Sequence, residues 1–243
     1  VTVGLSWIFL SLAGCLPLVI SGEIPNFVDA FFEIVSGFTT TGASIVPNVE
    51  ELSRGVLYWR SFSNWLGGMG VLVFLLAIDP MGSSSLHLLR AESPGPSVGK
   101  IVPKMRQTAK ILYLLYVALT VADIICLLIG KLSFFEAVCT AFSTAGTGGF
   151  GIKADGMASF TPYIQNVCTV FMMLFGINFT CFYLLLLGNF KSVFKNEELR
   201  FYLGTFVAAV ALISINVHSM YDTVGETIRH SAFQVASLVT STG

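Results

Sequence analysis

The sequence predicts an all-α integral membrane protein that is built from tandem copies of one helical unit. Of its 243 residues, 54% are hydrophobic and only 11% are charged, and the mean hydropathy is +0.80. A soluble domain carries about 25% charged residues, so this composition favours a chain that is surrounded mainly by lipid. The second observation is that long and short apolar segments follow one another in a recurring order. The net charge of −1 argues against nucleic acid as a partner.

Five apolar segments are long enough to cross a bilayer, which takes about 20 residues. They are residues 3–21, 56–79, 108–129, 163–188 and 200–217. Three shorter apolar segments lie between them, at residues 26–38, 133–145 and 226–239. A helix of about 13 residues covers roughly 20 Å, which suits half a crossing. Such re-entrant backbone is tolerated only where protein or a water-filled cavity covers it.

Two polar linkers separate the groups of apolar segments. Together with the helix starts that follow them, the linkers at 80–107 and 189–199 contain eight of the 13 Lys and Arg residues. The positive-inside rule therefore places both linkers in the cytoplasm and the short segments toward the outer side. The resulting organisation is a first repeat at 1–79, a second repeat at 108–188 and the truncated start of a third at 200–243.

The repeat becomes visible when the three short segments are aligned without gaps. The aligned stretches are NFVDAFFEIVSGFTTTGAS (26–44), SFFEAVCTAFSTAGTGGFG (133–151) and HSAFQVASLVTSTG (230–243). Each contains a hydroxyl-bearing residue, one further residue and a glycine, and Gly42, Gly149 and Gly243 share one column. Each unit is a spanning helix, a half-helix, a hydroxyl-and-glycine segment and a second spanning helix. Four units would surround an axis, so we expect a fourth beyond Gly243.

A half-helix followed by a hydroxyl-and-glycine segment has the properties that a cation filter needs. The uncompensated cost of burying an ion is of order 20 kcal/mol, and backbone carbonyls can replace its water without adding a full negative charge. Glycine permits the backbone angles that such a lining requires, and threonine hydroxyls add oxygen ligands. The C-terminal end of a helix is partially negative and favours a cation. The pattern therefore predicts cation conduction through a pore-loop architecture with pseudo-fourfold symmetry.

Longer stretches of the sequence are specific enough to suggest a family. They are FTTTGAS with RGVLYWRSFSNWLGGMGVLVF, then LLRAESPGPSVGKIVPKMRQTAKILYLLY, then STAGTGGF with FGINFTCFYLLL, and finally FQVASLVTSTG. In this order they resemble the first repeat, the linker, the second repeat and the start of the third repeat of the Trk-type potassium uptake proteins, in the Trk/Ktr superfamily. The resemblance covers essentially the whole chain.

The resemblance implies a multi-pass protein of the cell membrane, in bacteria the inner membrane, that takes up potassium in a channel-like manner. It also implies a homodimer with one pore per subunit and a cytoplasmic nucleotide-binding regulatory subunit of the RCK type. Potassium is then the substrate, no covalent cofactor is implied, and the protein is not an enzyme.

Residue-by-residue matching to the family implies three potassium-binding filter segments. The first filter segment is Thr39, Thr40, Thr41, Gly42 and Ala43; the second is Gly146, Thr147, Gly148, Gly149 and Phe150; the third begins with Thr240, Ser241, Thr242 and Gly243. These segments lack the long signature of tetrameric potassium channels. A sodium-permeable or sodium-coupled cation transporter of the same superfamily therefore remains an alternative.

Polar residues within the apolar segments are candidates for supporting the pore. Asn64 is expected to hydrogen-bond a filter segment, Asn178 to bond between helices, and Arg60 to extend outward to the membrane surface. For Asp123, in a spanning segment, a functional and a structural role are both open. The half-helices also contain acidic residues that either attract cations at the pore mouth or have structural roles. These are Asp29, Glu33 and Glu136.

Two other classes of function compete with the filter. A membrane-embedded enzyme would need a nucleophile, a base and an orienting acid at one membrane depth, and the sequence pattern shows no such set. The stretch TAGTGGFG resembles a phosphate-binding loop but lacks its lysine-and-hydroxyl ending. A secondary transporter with broken helices would favour inverted repeats. The copies here run in the same direction, with an even number of crossings between them, so the pattern favours the filter.

Overall fold

The computed structural model describes residues 2–70 and 105–242, and in these ranges it contains helices and no β-strand. The helices are α1 (Thr2–Ile20), α2 (Phe27–Phe38), α3 (Arg54–Gly68), α4 (Met105–Ile129), α5 (Phe134–Ala145), α6 (Pro162–Phe175), α7 (Phe179–Leu186), α8 (Phe190–Phe194), α9 (Glu197–Val217) and α10 (Val224–Thr240). The predicted all-α class is confirmed. The end of the predicted span 56–79, nearly all of the linker 80–107 and the filter candidate Gly243 lie outside the described residues.

The three predicted half-helices are α2, α5 and α10, with 12, 12 and 17 residues. Each begins with a polar side chain that accepts a backbone N–H of the first turn, which satisfies a group that the helix leaves without a partner. The capping residues are Asn26, Ser133 and Thr223. In α5 the Glu136 carboxylate also accepts the backbone N–H of Ser133, which completes a capping box. This geometry gives Glu136 the structural role that the sequence left open.

Two helical stretches of the described ranges are long and apolar enough to cross a membrane. They are Lys110–Ile129, within α4, and Glu197–Met220, which contains α9. Helix α1 has 19 residues, within the roughly 17–25 residues that a crossing takes. Helix α3, which starts the predicted span 56–79, has 15 residues and ends at Gly68.

The predicted span 163–188 is not one continuous helix, and it amounts to a crossing only if two bent helices are taken together. Helices α6 and α7 meet at a break of three residues, where the axis turns by 87°. Gly176 caps the end of α6, and the Asn178 side chain accepts the N–H of Thr180 at the start of α7. Hydropathy detects a continuous apolar segment but not its direction, which explains why the break was not predicted. The predicted linker 189–199 also contains a short helix, α8.

Packing places one helix between successive half-helices. In the first repeat α2 packs between α1 and α3, around buried residues that include Cys15, Ala30 and Ile34. Helix α3 then packs against α5 of the second repeat, and α6 packs against α10 of the third. The second helix of each repeat therefore contacts the half-helix of the next, which brings the ends of the half-helices into one region of the fold.

Candidate functional site

The three half-helices end in the same strained turn. Thr40, Thr147 and Ser241, which share a column of the alignment, have φ angles of 54°, 53° and 59°. Glycine usually occupies this left-handed position at the end of a helix, since a residue with a side chain pays a steric cost there. Strain of this kind costs of order 1–3 kcal/mol and clusters at ligand-binding sites. Its recurrence at three matched positions makes the turn a property of the repeat.

Matched hydrogen bonds hold each turn. The residue after the left-handed one donates its N–H to the carbonyl five residues earlier. These bonds run from Thr41 to Ser36 (2.9 Å), from Gly148 to Ser143 (3.3 Å) and from Thr242 to Ser237 (2.8 Å). This is the longer of the two bonds of a Schellman motif. The chain therefore leaves the three half-helices through the same local geometry.

The first and second filter segments are in direct contact. A Cβ added to Gly42 would lie 1.9 Å from the carbonyl oxygen of Gly148, far inside van der Waals contact. Gly42 and Gly149, which share a column of the alignment, both have positive φ angles, of 74° and 62°. Two features therefore require glycine at position 42. Its positive φ angle is unfavourable for residues with a side chain, and the neighbouring Gly148 carbonyl leaves no room for a Cβ.

Pairs of threonine hydroxyls brace the first and third filter segments. Thr39 Oγ1 lies 2.8 Å from Thr41 Oγ1, and Thr240 Oγ1 lies 2.7 Å from Thr242 Oγ1. The first threonine of each pair also donates to a carbonyl of the preceding helix, that of Val35 or Ala236, at 2.7 Å. Each pair ties its segment to the end of its own half-helix.

The second filter segment has Gly146 and Gly148 at these two positions, and Asn64 of α3 fills the space. Asn64 is fully buried, and its Nδ2 lies 3.5 Å from the carbonyl oxygen of Ser143. A Cβ on Gly146 would lie 2.4 Å from the Asn64 main-chain oxygen, and one on Gly148 would lie 2.2 Å from Asn64 Oδ1. The hydrogen bond of Asn64 thus goes to Ser143, in the half-helix α5 before the filter segment, and a bond to the segment itself stays a prediction. The position of Asn64 gives a reason for both glycines.

The second helix of each described repeat approaches the next filter segment at a glycine. A Cβ on Gly68 would lie 2.6 Å from Gly146 Cα, and one on Gly176 would lie 2.9 Å from Thr240 Cγ2. Close to each glycine, a tyrosine hydroxyl of the following repeat donates to a main-chain carbonyl. These bonds are Tyr116 to Trp65 (2.9 Å) and Tyr202 to Met173 (3.2 Å). The two contacts are equivalent in successive repeats.

Two other predicted supporting residues lie apart from these contacts. Asn178 lies at the break between α6 and α7 and donates to Glu198 Oε2 of α9 at 3.2 Å, which is a bond between helices as expected. Asp123 is fully buried in α4, and neither of its carboxylate oxygens has a hydrogen-bond partner among the described residues.

Arg60 does not extend to the membrane surface, so that prediction was wrong. Its side chain is buried, and its Nε lies 2.6 Å from Glu33 Oε1. Glu33 is likewise fully buried, which excludes it from an exposed pore mouth. The sequence contained a signal for this pair: Glu33 and Arg60 have opposite charges and lie in two apolar segments of one repeat. Ionisable groups within a membrane tend to pair.

Phe150 ends the second filter segment with its ring inside the protein. The residue is 3% exposed, and its carbonyl oxygen accepts the Ser143 hydroxyl at 2.6 Å. Ser143 thus binds the segment at its middle residue and at its last residue, since its own carbonyl accepts the Gly148 N–H. Phe150 anchors the segment through its ring and through this bond.

Comparison with known proteins gives consistent matches. The sequence profile of a family described as TrkH, cation transport protein, matches residues 1–243. The chain is 36% identical over 247 aligned residues to the Trk system potassium uptake protein TrkH of Salmonella typhimurium, covering 98% of this chain and 51% of that protein. It is 35% identical to the Trk system potassium uptake protein TrkG of Escherichia coli K12, covering 98% of this chain and 50% of that protein.

A solved structure is similar to the fold as well. The crystal structure of the potassium transporter TrkH from Vibrio parahaemolyticus superposes with a TM-score of 0.83 at 30% identity, over 98% of this chain and 50% of that one. The chain thus spans about half the length of the relatives that it matches. These relatives are named as uptake proteins or transporters.

Proposed function

The chain belongs to the TrkH family of cation transport proteins, and on this premise we propose that it supplies filter segments of a membrane protein for potassium uptake. The observation that carries the proposal is the contact between Gly42 and the Gly148 carbonyl, at the ends of two equivalent half-helices. Backbone carbonyls gathered in this way can stand in for the hydration shell of potassium. The C-terminal ends of the half-helices add a partial negative charge.

The proposed path of the ion runs along the three filter segments. Residues 39–43, 146–150 and 240–243 would supply carbonyl and hydroxyl oxygens, and a fourth unit of the full protein would complete the ring. Asn64 would support the second segment from behind, and the threonine pairs would support the first and third. A homodimer and a nucleotide-binding regulatory subunit facing the cytoplasmic linkers belong to the same proposal.

Rubidium uptake into cells that lack their own potassium uptake systems tests this function. The full-length protein, together with its regulatory partner, should restore rubidium uptake and growth at low potassium. Failure to restore uptake, despite verified insertion in the membrane, would reject the proposal. An inserted variant with a disrupted filter segment provides the matched control.

A sodium-permeable transporter is the second candidate, because the segments are not chemically equivalent. The first and third segments have threonine pairs where the second has Gly146 and Gly148, so the oxygens around the axis differ from side to side. Sodium influx measured in the same cells separates the two candidates, since potassium selectivity predicts little sodium entry under conditions that support rubidium uptake.

A further inference from the structure

A buried ion pair joins the half-helix and the second helix of the first repeat. Glu33 of α2 and Arg60 of α3 have side chains that are 0% and 2% exposed, with Arg60 Nε 2.6 Å from Glu33 Oε1. Removing two charges from water costs several kcal/mol per ion, which the attraction offsets only if further hydrogen bonds satisfy the groups. The stability of the buried pair therefore depends on the hydrogen bonds that neighbouring groups make with it.

The first set of bonds connects the pair to the chain directly after the first filter segment. Ser44 Oγ donates to Glu33 Oε1 at 2.9 Å, and the Ile45 N–H donates to Glu33 Oε2, also at 2.9 Å. Arg60 Nη2 donates to Ser44 Oγ at 3.1 Å. Ser44 follows Ala43, so these bonds fix the position at which the first filter segment ends.

The second set of contacts reaches the second filter segment. The Arg60 guanidinium lies over the Phe150 ring, with its central carbon 4.6 Å from the ring centroid. Arg60 Nη1 has no hydrogen-bond partner in the described part of the chain. Such a contact between a cation and a ring is attractive and gains strength when it is shielded from water. Because Phe150 ends the second filter segment, the pair touches the ends of both segments.

The pair is specific to this position in the fold. The residues aligned with Glu33 are Thr140 in the second repeat and Gln234 in the third, so neither of those half-helices has a carboxylate at that place. Glu33 is fully buried and its oxygens are occupied by Arg60, Ser44 and Ile45. These contacts suit a positioning residue and leave no oxygen free for a passing ion.

We propose that Glu33 and Arg60 are positioning residues that hold the ends of the first two filter segments at a fixed separation and so set the discrimination between potassium and sodium. The inference rests on the proposed function, because it concerns the same filter. Its physical basis is that loss of a group which orients a metal ligand from behind typically costs about 10–100-fold in affinity or activity.

The test uses the full-length protein with its regulatory partner in uptake-deficient cells, with membrane insertion quantified for every variant. The variants are Glu33→Gln, Arg60→Lys and Phe150→Leu, of which the last leaves both charges in place. For each, rubidium and sodium uptake are measured in parallel. Glu136→Gln is the matched control, because Glu136 belongs to the other 12-residue half-helix and is bonded to Ser133, at the start of that helix.

We expect the ratio of rubidium to sodium uptake to fall about tenfold in Glu33→Gln and Arg60→Lys, the low end of the effect of supporting residues on ion sites. A smaller fall is expected for Phe150→Leu, and none for Glu136→Gln. An unchanged ratio in the inserted variants overturns the inference. If the charge variants fail to insert, the ratio of Phe150→Leu decides alone. Absence of rubidium uptake by the unmutated protein would instead reject the proposed function.

Discussion

Gly42 of the first repeat lies against the carbonyl oxygen of Gly148 in the second repeat, so closely that an added Cβ would be 1.9 Å from that oxygen. The two residues are 106 positions apart in the sequence. Their contact depends on α3, which packs against α2 and α5 together. At Gly42 and Gly148 the spacing between the first two filter segments is therefore limited by direct backbone contact, so a single added atom would disturb it there.

Substitution of Gly42 should impair selectivity more than substitution of a comparable glycine elsewhere. In Gly42→Ser the new Cβ displaces the Gly148 carbonyl, and we expect the rubidium-to-sodium uptake ratio to fall about tenfold. Gly22→Ser is the control, because Gly22 has nearly the same φ, +76° against +74°, but open space around its Cβ position. Equal ratios for the two variants would contradict a specific role for the Gly42 contact.

Gly148→Ala should be harmful, and the harm should depend on Asn64. The added methyl would lie 2.2 Å from Asn64 Oδ1, and overpacking of this kind costs about 1–3 kcal/mol. Uptake and thermal stability should both fall in the single variant and recover in part when Asn64→Ala is added. Gly146→Ala provides the contrast. Its methyl would lie 2.4 Å from the main-chain oxygen of residue 64, and the substitution Asn64→Ala leaves that oxygen in place. Rescue of Gly146→Ala by Asn64→Ala would argue against this geometry.

The threonine pair of the first filter segment should contribute to ion affinity through its hydroxyls. Thr39→Val removes the bonds to Thr41 and to the Val35 carbonyl, each worth about 1 kcal/mol. If ion binding loses the equivalent of one of these two bonds, about 1 kcal/mol, the potassium concentration that half-saturates uptake rises about fivefold. Thr39→Ser keeps the hydroxyl and should behave nearly as the unmutated protein. If the valine and serine variants are indistinguishable, the hydroxyl has no such role.

The capping box of α5 predicts a pH-dependent contribution to stability. The hydrogen bond from the Ser133 hydroxyl lowers the pKa of Glu136 from its ordinary value of 4.5. The ionised carboxylate therefore stabilises the fold above pH 4.5, and this stabilisation is lost as the pH falls through the lowered pKa. Glu136→Gln should reduce the thermal stability of the purified full-length protein at neutral pH, with a difference that shrinks below pH 4.5. A difference that is independent of pH would refute this.

The sequence predicted the half-helices and their endings because those signals are local. The short apolar runs and the hydroxyl-and-glycine endings act within a few residues, so the alignment located α2, α5 and the start of each turn closely. The break at 176–178 was missed although its signal was also local. Gly176 and Asn178 are suited to ending one helix and starting the next, but the continuous hydropathy of the segment outweighed them.

The supporting contacts could not be derived in the same way, because they join residues far apart in sequence. Glu33 and Arg60 belong to different helices, and their pairing requires the packing of α2 on α3. The replacement of threonines by Gly146 and Gly148 is visible in the sequence. Its cause is Asn64, which lies 79 residues before Ser143, and that proximity exists only in the folded chain.

The second filter segment has Gly146 and Gly148, next to Asn64, where the first and third segments have a threonine pair. This difference has a consequence for how such a protein can evolve. In a channel assembled from four identical subunits, every mutation of the filter acts on all four sides at once. Here each segment is encoded separately. A mutation can therefore change one segment, as Asn64 of the first repeat accompanies the glycines of the second segment, while the other segments keep their residues. In the proposed pore, ion preference can therefore change in small steps that alter one segment at a time.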